Sequence, residues 1–230
     1  MSTAALTVSL PSSTLYVSGT VNGVDTIWTN TSGQLWETTA DRAEDEIYRI
    51  ALTIIDDTGV PTESRFTLYY GLHLITDRTL TDVESVKKLA EAIKNGVATE
   101  EQVQEYLNAH QKGAYTYEDL NRVEAAVSYV ANRLKEFGYA PSILPVETWS
   151  MEDKPNKADF DRYFGNVAKI RRAITVWRST PVAPNSIAGF DVTQANALEQ
   201  ILVDVDQILN HIQAAWFFLG DLYFGEGNHD

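Results

Sequence analysis

Two periodicities divide the chain. Up to about Gly71, apolar and polar residues alternate in short runs: TLYVSGTV, DTIWTNT, QLWETT, EIYRIALTII and RFTLYYG. These runs are rich in Val, Ile, Thr, Tyr and Trp, the composition of half-buried strands. Asn22-Gly23, Ser32-Gly33 and Asp57-Thr58-Gly59 separate them and supply turn geometry. In EIYRIALTII the alternation assigns Tyr48, Ile50, Leu52 and Ile54 to the core face and Ile47, Arg49, Ala51, Thr53 and Ile55 to the other. Short strands joined by tight turns predict an antiparallel sandwich or small barrel. Trp28, within a short strand, and Tyr48, opening a later one, take the order of the core Trp and tyrosine corner of immunoglobulin-like domains. Roughly 70 residues is short of the ~100 typical of that fold. The domain is therefore expected to lack a strand or two and to lean on a neighbour.

From Thr79 the period becomes helical. T-D-V-E (81–84), T-E-E-Q (99–102) and T-Y-E-D (116–119) each place a Thr three residues before an acid or amide, the reciprocal cap of a helix start. Gly96, Gly113 and Gly138 follow where helix ends need positive φ. Helices are predicted near 82–95, 100–110 and 117–137. The third carries a seam of Leu120, Val123, Val127, Val130, Leu134 and Phe137, the stripe of a core-facing helix. YAPSILPVETW (139–149) is kept extended by Pro141 and Pro145. A fourth helix is predicted at 157–176, with Phe160, Tyr163, Phe164, Val167, Ile170 and Ile174 inward. A fifth, at 192–219, has a seam from Ala195 through Leu198, Ile201, Leu202, Val205, Ile208, Leu209 and Ile212 to Ala215, Trp216 and Leu219. At ~1.5 Å per residue it is about 40 Å long, the spine of a bundle. The fold class is α+β in two domains: a small antiparallel Ig-like β-sandwich (1–72) expected to be short of a strand or two, a linker (73–80), an all-α helical bundle of about five helices (81–225) and a tail (226–230).

Charge and chemistry narrow the function. A net charge of −14 repels phosphate backbones and anionic lipid, so neither nucleic acid nor a membrane is an expected partner. No stretch has the ~20 apolar residues of a membrane span, and MSTAALTVSLP lacks the basic and apolar regions of a signal peptide. With no Cys, disulfides and thiolate chemistry drop out. The four histidines, His73, His110, His211 and His229, have no metal-ligand spacing, and each is assigned an ordinary surface or part-buried role. Asp56-Asp57 reads as part of a turn, and Asp204 and Asp206 as the solvated flank of the last helix. No nucleotide, metal or nucleophile motif occurs. The expectation is a non-enzymatic protein with no cofactor, no metal site and no catalytic residues.

The most aromatic stretch is AAWFFLGDLYFGEG (214–227). Trp216 and Leu219 continue the helical seam and are assigned to the bundle core. Phe217, Phe218, Tyr223 and Phe224 fall off it; they either fold back over a second helix or form a docking patch for a partner. An alternative site uses Tyr16, Trp28, Trp36 and Tyr69 of the β domain as aromatic faces for a cell-surface glycan.

Four segments, LHLITDRTLTDVESVKKL (72–89), KGAYTYEDLNRVEAAVSYVANRL (112–134), ILPVETWSMEDKPNKADFDRYFGNV (143–167) and the AAWFFLGDLYFGEG ending, carry a resemblance. Together they are similar to a helical module at the C-terminal end of tail-associated minor structural proteins of phages and prophages of Gram-positive gut bacteria. The β segment resembles the part that often precedes it. The resemblance implies a non-enzymatic virion component, made in the host cytoplasm and joined to other virion or tail proteins or to copies of itself.

Overall fold

The computed structural model describes residues 5–39, 46–107, 111–146 and 148–220. Seven strands come first: β1 (Ala5–Ser9), β2 (Thr14–Val21), β3 (Val24–Ile27), β4 (Thr29–Ser32), β5 (Leu35–Thr39), β6 (Ile47–Asp56) and β7 (Pro61–Tyr69). They form two sheets of order β1-β5-β4 and β3-β2-β6-β7, with antiparallel pairing throughout. Lettered in immunoglobulin fashion from β1 as strand B, these are B-E-D and C′-C-F-G. Among the described residues nothing occupies the place of strand A. The core between the sheets holds Leu6, Val8, Val17, Trp36, Tyr48, Ile50, Leu52 and Leu68, so the alternation in β6 has its expected phase. Tyr48 stands at the start of strand F, the tyrosine-corner position, with its ring edge-on to Tyr70 at 5.7 Å.

Two details differ from the sequence reading. DTIWTNT is not one strand: the chain breaks at Trp28 to pass from β3 in one sheet to β4 in the other. Trp28 is buried in the core at that crossing rather than on strand C, where Val17 stands instead. β1 was not expected at all, although Leu6, Val8 and Leu10 alternate inward.

Five helices follow: α1 (Leu80–Lys94), α2 (Glu100–Leu107), α3 (Tyr117–Glu136), α4 (Lys157–Ala173) and α5 (Val192–Gly220). Thr99 and Thr116 cap α2 and α3 reciprocally with Gln102 and Asp119. The cap of α1 is Thr79, boxed with Asp82, rather than Thr81. Both threonines precede an acid by three residues, and the earlier one takes the helix start. Gly96 and Gly138 have the expected positive φ of 68° and 86°. Gly113 serves another purpose: a Cβ there would lie 2.1 Å from the Asp82 carbonyl oxygen, so its missing side chain admits the first turn of α1.

Among the described residues, the helices that build the bundle core are α3, α4 and α5. α1 buries no residue, although it carries Leu80, Val83, Val86, Leu89 and Ile93. The seams of α3 and α4 are inward as expected, as is that of α5 from Ala195 to Leu209. Just beyond Ile212, Gln213, Ala214 and Ala215 are exposed. With 29 residues against 20 in α3 and 17 in α4, α5 is longer by about 13 Å or more at ~1.5 Å per residue.

Candidate functional site

The stretch 73–80, expected as a linker, is instead fixed to the bundle. The Asn196 side chain accepts from the Arg78 backbone N–H and donates to its carbonyl, at 3.0 and 2.9 Å. Glu199 accepts from the Ile75 N–H at 2.5 Å. The Arg78 guanidinium thereby enters a buried set of four charges. It meets Asp119 at 2.8 Å and Glu199 at 2.7 Å, while Arg122 meets the same two acids at 2.7 and 2.9 Å. Two cations and two anions alternate around this quartet, which closes to zero net charge in a place where an unpaired ion costs several kcal/mol. Burial pushes the Glu199 carboxyl up, and Arg122 and Arg78 oppose it. Burial works against the Arg122 charge, but Glu199 and Asp119 outweigh it and hold the proton on. The Tyr115 ring lies 5.3 Å from the Arg78 guanidinium carbon, and the Tyr115 hydroxyl is 2.5 Å from that of Tyr163.

The DLNRV run (119–123) can now be read residue by residue. Asp119 both caps α3 and joins the quartet. Leu120 and Val123 are core. The Asn121 amide holds both backbone groups of Trp149, at 2.7 and 2.8 Å, so the extended stretch is pinned as a strand neighbour would pin it. Asn166 does the same at Leu144, at 3.2 and 3.0 Å. Glu118, one position earlier, ties sheet to bundle by accepting from the Thr67 and Tyr69 hydroxyls at 3.0 and 2.6 Å. Nearby, Glu124 is fully buried and accepts from Arg162 at 2.6 Å. Burial pushes its carboxyl up to about 7, against the pull of Arg162. The cap at Asp119 apart, none of these roles for Asp119, Asn121, Glu124 and Glu199 was read from sequence. Acids and amides inside otherwise apolar seams were the available signal.

The proposed glycan platform does not assemble. Trp28 and Trp36 are buried in the sandwich core, where their rings fill space between sheets. Tyr69 donates to Glu118 at the junction, and burial with that contact raises its pKa. Only Tyr16 of the four is exposed. The side chains of Phe217 and Phe218, and of Trp216 and Leu219, lie outside the described residues, as do Tyr223 and Phe224 entirely.

The carboxylate pairs resolve differently. Asp56 accepts from the Thr58 hydroxyl and N–H at 2.5 and 2.9 Å, the expected turn, and the hydroxyl contact chiefly lowers its pKa. Asp204 and Asp206 are buried rather than solvated. α5 turns them toward polar neighbours: Asp206 pairs with Arg133, and Asp204 accepts from Gln200 at 2.6 Å. His73 donates through Nε2 to the Tyr70 carbonyl at 2.8 Å. His211 is exposed beside Trp177, and His110 and His229 lie outside the described residues. Among the described residues no group of three His, Cys, Asp or Glu has the geometry to hold a metal ion, and no helix is long and apolar enough to cross a membrane.

Two clefts meet beside α3. A pocket of about 420 Å³ is walled by Tyr106, Tyr117, Leu120, Trp149 and Phe160. It shares Tyr117, Ser150 and Met151 with a wider one of about 760 Å³ that runs onto the outer face of β6 and β7. Comparison with models of known protein families, with curated proteins and with solved structures finds no match.

Proposed function

We propose that the chain is a non-enzymatic structural component of a phage or prophage particle, tail-associated, acting through contacts with other virion proteins or with copies of itself. The observation that carries this reading is how the side chains of the resembling motifs are used. Arg78 of TDRT, Asp119, Asn121 and Arg122 of DLNRV, and Trp149 of the extended stretch are held in hydrogen bonds and ion pairs within the molecule. Their chemistry is the fixing of a rigid shape. The spine supports the same reading, because α5 outruns its partners. Gln213, Ala214 and Ala215, where the aromatic stretch begins, are exposed, and exposed apolar surface is what a docking element uses.

Light scattering on the purified chain tests the contact. The expected result is mass that grows with concentration and falls to the monomer when Phe217, Phe218, Tyr223 and Phe224 are all changed to Ser. A strict monomer at high concentration that also fails to join purified particles would refute the reading.

A further inference from the structure

The ring-walled pocket of about 420 Å³ lies at the end of the bundle where α3 begins. Tyr117 and Leu120 of α3, Trp149, Met151 and Pro155 of the segment before α4, and Phe160 of α4 are among its walls. Its volume is in the ~300–1,000 Å³ range of sites that take an apolar group, and Met151 in the wall is 67% exposed. The ring-bearing ending leaves the bundle at the other pole. α3 and α5 run in the same direction, since Arg122 pairs with Glu199 and, further along both helices, Arg133 pairs with Asp206. Tyr117 and Leu120 precede Arg122, and Trp149 is pinned at Asn121, so the pocket stands level with Glu199 or nearer the start of α5. The helix continues to Gly220, 21 residues past Glu199, which is ~31 Å at ~1.5 Å per residue. Tyr223 and Phe224 follow Gly220 by three and four residues, and four extended residues span at most ~14 Å. These rings therefore fall short of their own chain's pocket.

We propose that Tyr223 and Phe224 of one copy seat in this pocket of a second copy, so that copies join head to tail. Aromatic rings carry a large apolar surface and favour edge-on or offset contact with other rings, which Tyr117, Trp149 and Phe160 offer. Apolar contact is also the means open to a chain of net charge −14, whose copies repel one another. Ending and pocket are different surfaces, so the contact is heterologous and passes from copy to copy into a ring or a filament. This pairing rests on the self-contact proposed above and names the surface that receives it.

The test is light scattering on two variants of the whole chain, alone and mixed. Met151→Glu sets a carboxylate where an entering ring would bury it unpaired; the side chain is mostly exposed, so the fold should stand. Tyr223→Ser with Phe224→Ser removes the rings and leaves the pocket. Each variant alone is expected to self-associate at least tenfold more weakly than the natural chain. An equal mixture is expected to stop at a two-chain mass, because one intact ending meets one intact pocket, while the natural chain goes on growing. A second measurement does not depend on the Glu variant. The chain has no Cys, so mixed Met151→Cys and Phe224→Cys chains under mild oxidation should join to each other several-fold more than to themselves. Growth that survives Met151→Glu, a mixture without the two-chain species, or no preference for the mixed disulfide overturns the pairing and leaves the self-contact standing. A natural chain that stays monomeric overturns the pairing too, and its failure to join purified particles then removes the contact beneath it.

Discussion

Glu199 is the side chain on which the quartet depends most. It is fully buried and accepts from Arg78, Arg122 and the Ile75 N–H. Glu199→Ala removes all three acceptor contacts at once and leaves two guanidinium groups facing one carboxylate. Removing one partner of a buried ion pair costs about 3–5 kcal/mol, and the stranded Ile75 N–H adds to that. A loss on the order of 4 kcal/mol is expected from a total that for most proteins is about 5–15 kcal/mol. For a chain of this length that is a fall of roughly 8–16 °C in melting temperature. Urea unfolding followed by far-ultraviolet circular dichroism at pH 7 reads the helices directly. Charge balance supplies an internal control: Glu199→Ala with Arg122→Met leaves one Arg and one Asp, so the pair should cost clearly less than the sum of its parts. Additive losses, or a Glu199→Ala cost under about 1 kcal/mol, would show the quartet to be solvated and would refute this reasoning.

Three further outcomes follow from the packing. Glu124 binds its proton more tightly folded than unfolded, because burial lifts it to about 7 from an ordinary 4.5. The stability it contributes is complete below about pH 4.5 and lost as pH rises through 7, a slope of at most ~1.4 kcal/mol per unit. Glu124→Gln should flatten urea-unfolding stability over that interval; an unchanged slope would contradict the assignment. Gly113→Ala drives a methyl into the Asp82 carbonyl and should cost about 1–3 kcal/mol, with limited proteolysis cutting α1 sooner than in the natural chain. Asn121→Ala strands the Trp149 backbone. A loss of about 1–3 kcal/mol is expected, with Trp149 fluorescence shifting red as the extended stretch loosens.

What the sequence disclosed and what it hid have the same cause. Period and caps are local, so the core phase of β6, the seams of α3 and α4 and the boxes at Thr99 and Thr116 were legible. Asn156, which caps α4 with Asp159, follows the same rule with an amide in place of the hydroxyl. Local signals failed where tertiary context decided between equals. Thr79 and Thr81 both offered a cap, Gly113 offered a helix stop but met α1, and Ala215, assigned to the spine's seam, is exposed. The quartet was invisible because, Asp119–Arg122 aside, its contacts span 41 residues (Arg78–Asp119), 77 (Arg122–Glu199) and 121 (Arg78–Glu199). A single sequence gives no distance between Arg78, Asp119 and Glu199. The expected aromatic site in the β domain dissolved for a related reason: composition shows rings such as Trp28 and Trp36, and only packing shows whether they face inward.

The most direct measurement is detection of this chain in particles. Particles are purified by density gradient from a strain that encodes it, digested for mass spectrometry, and labelled with gold-tagged antibody under the electron microscope. The account predicts peptides in fixed ratio to the other structural proteins and gold at the tail. A chain recovered only in the particle-free fraction, with unlabelled tails, would contradict it.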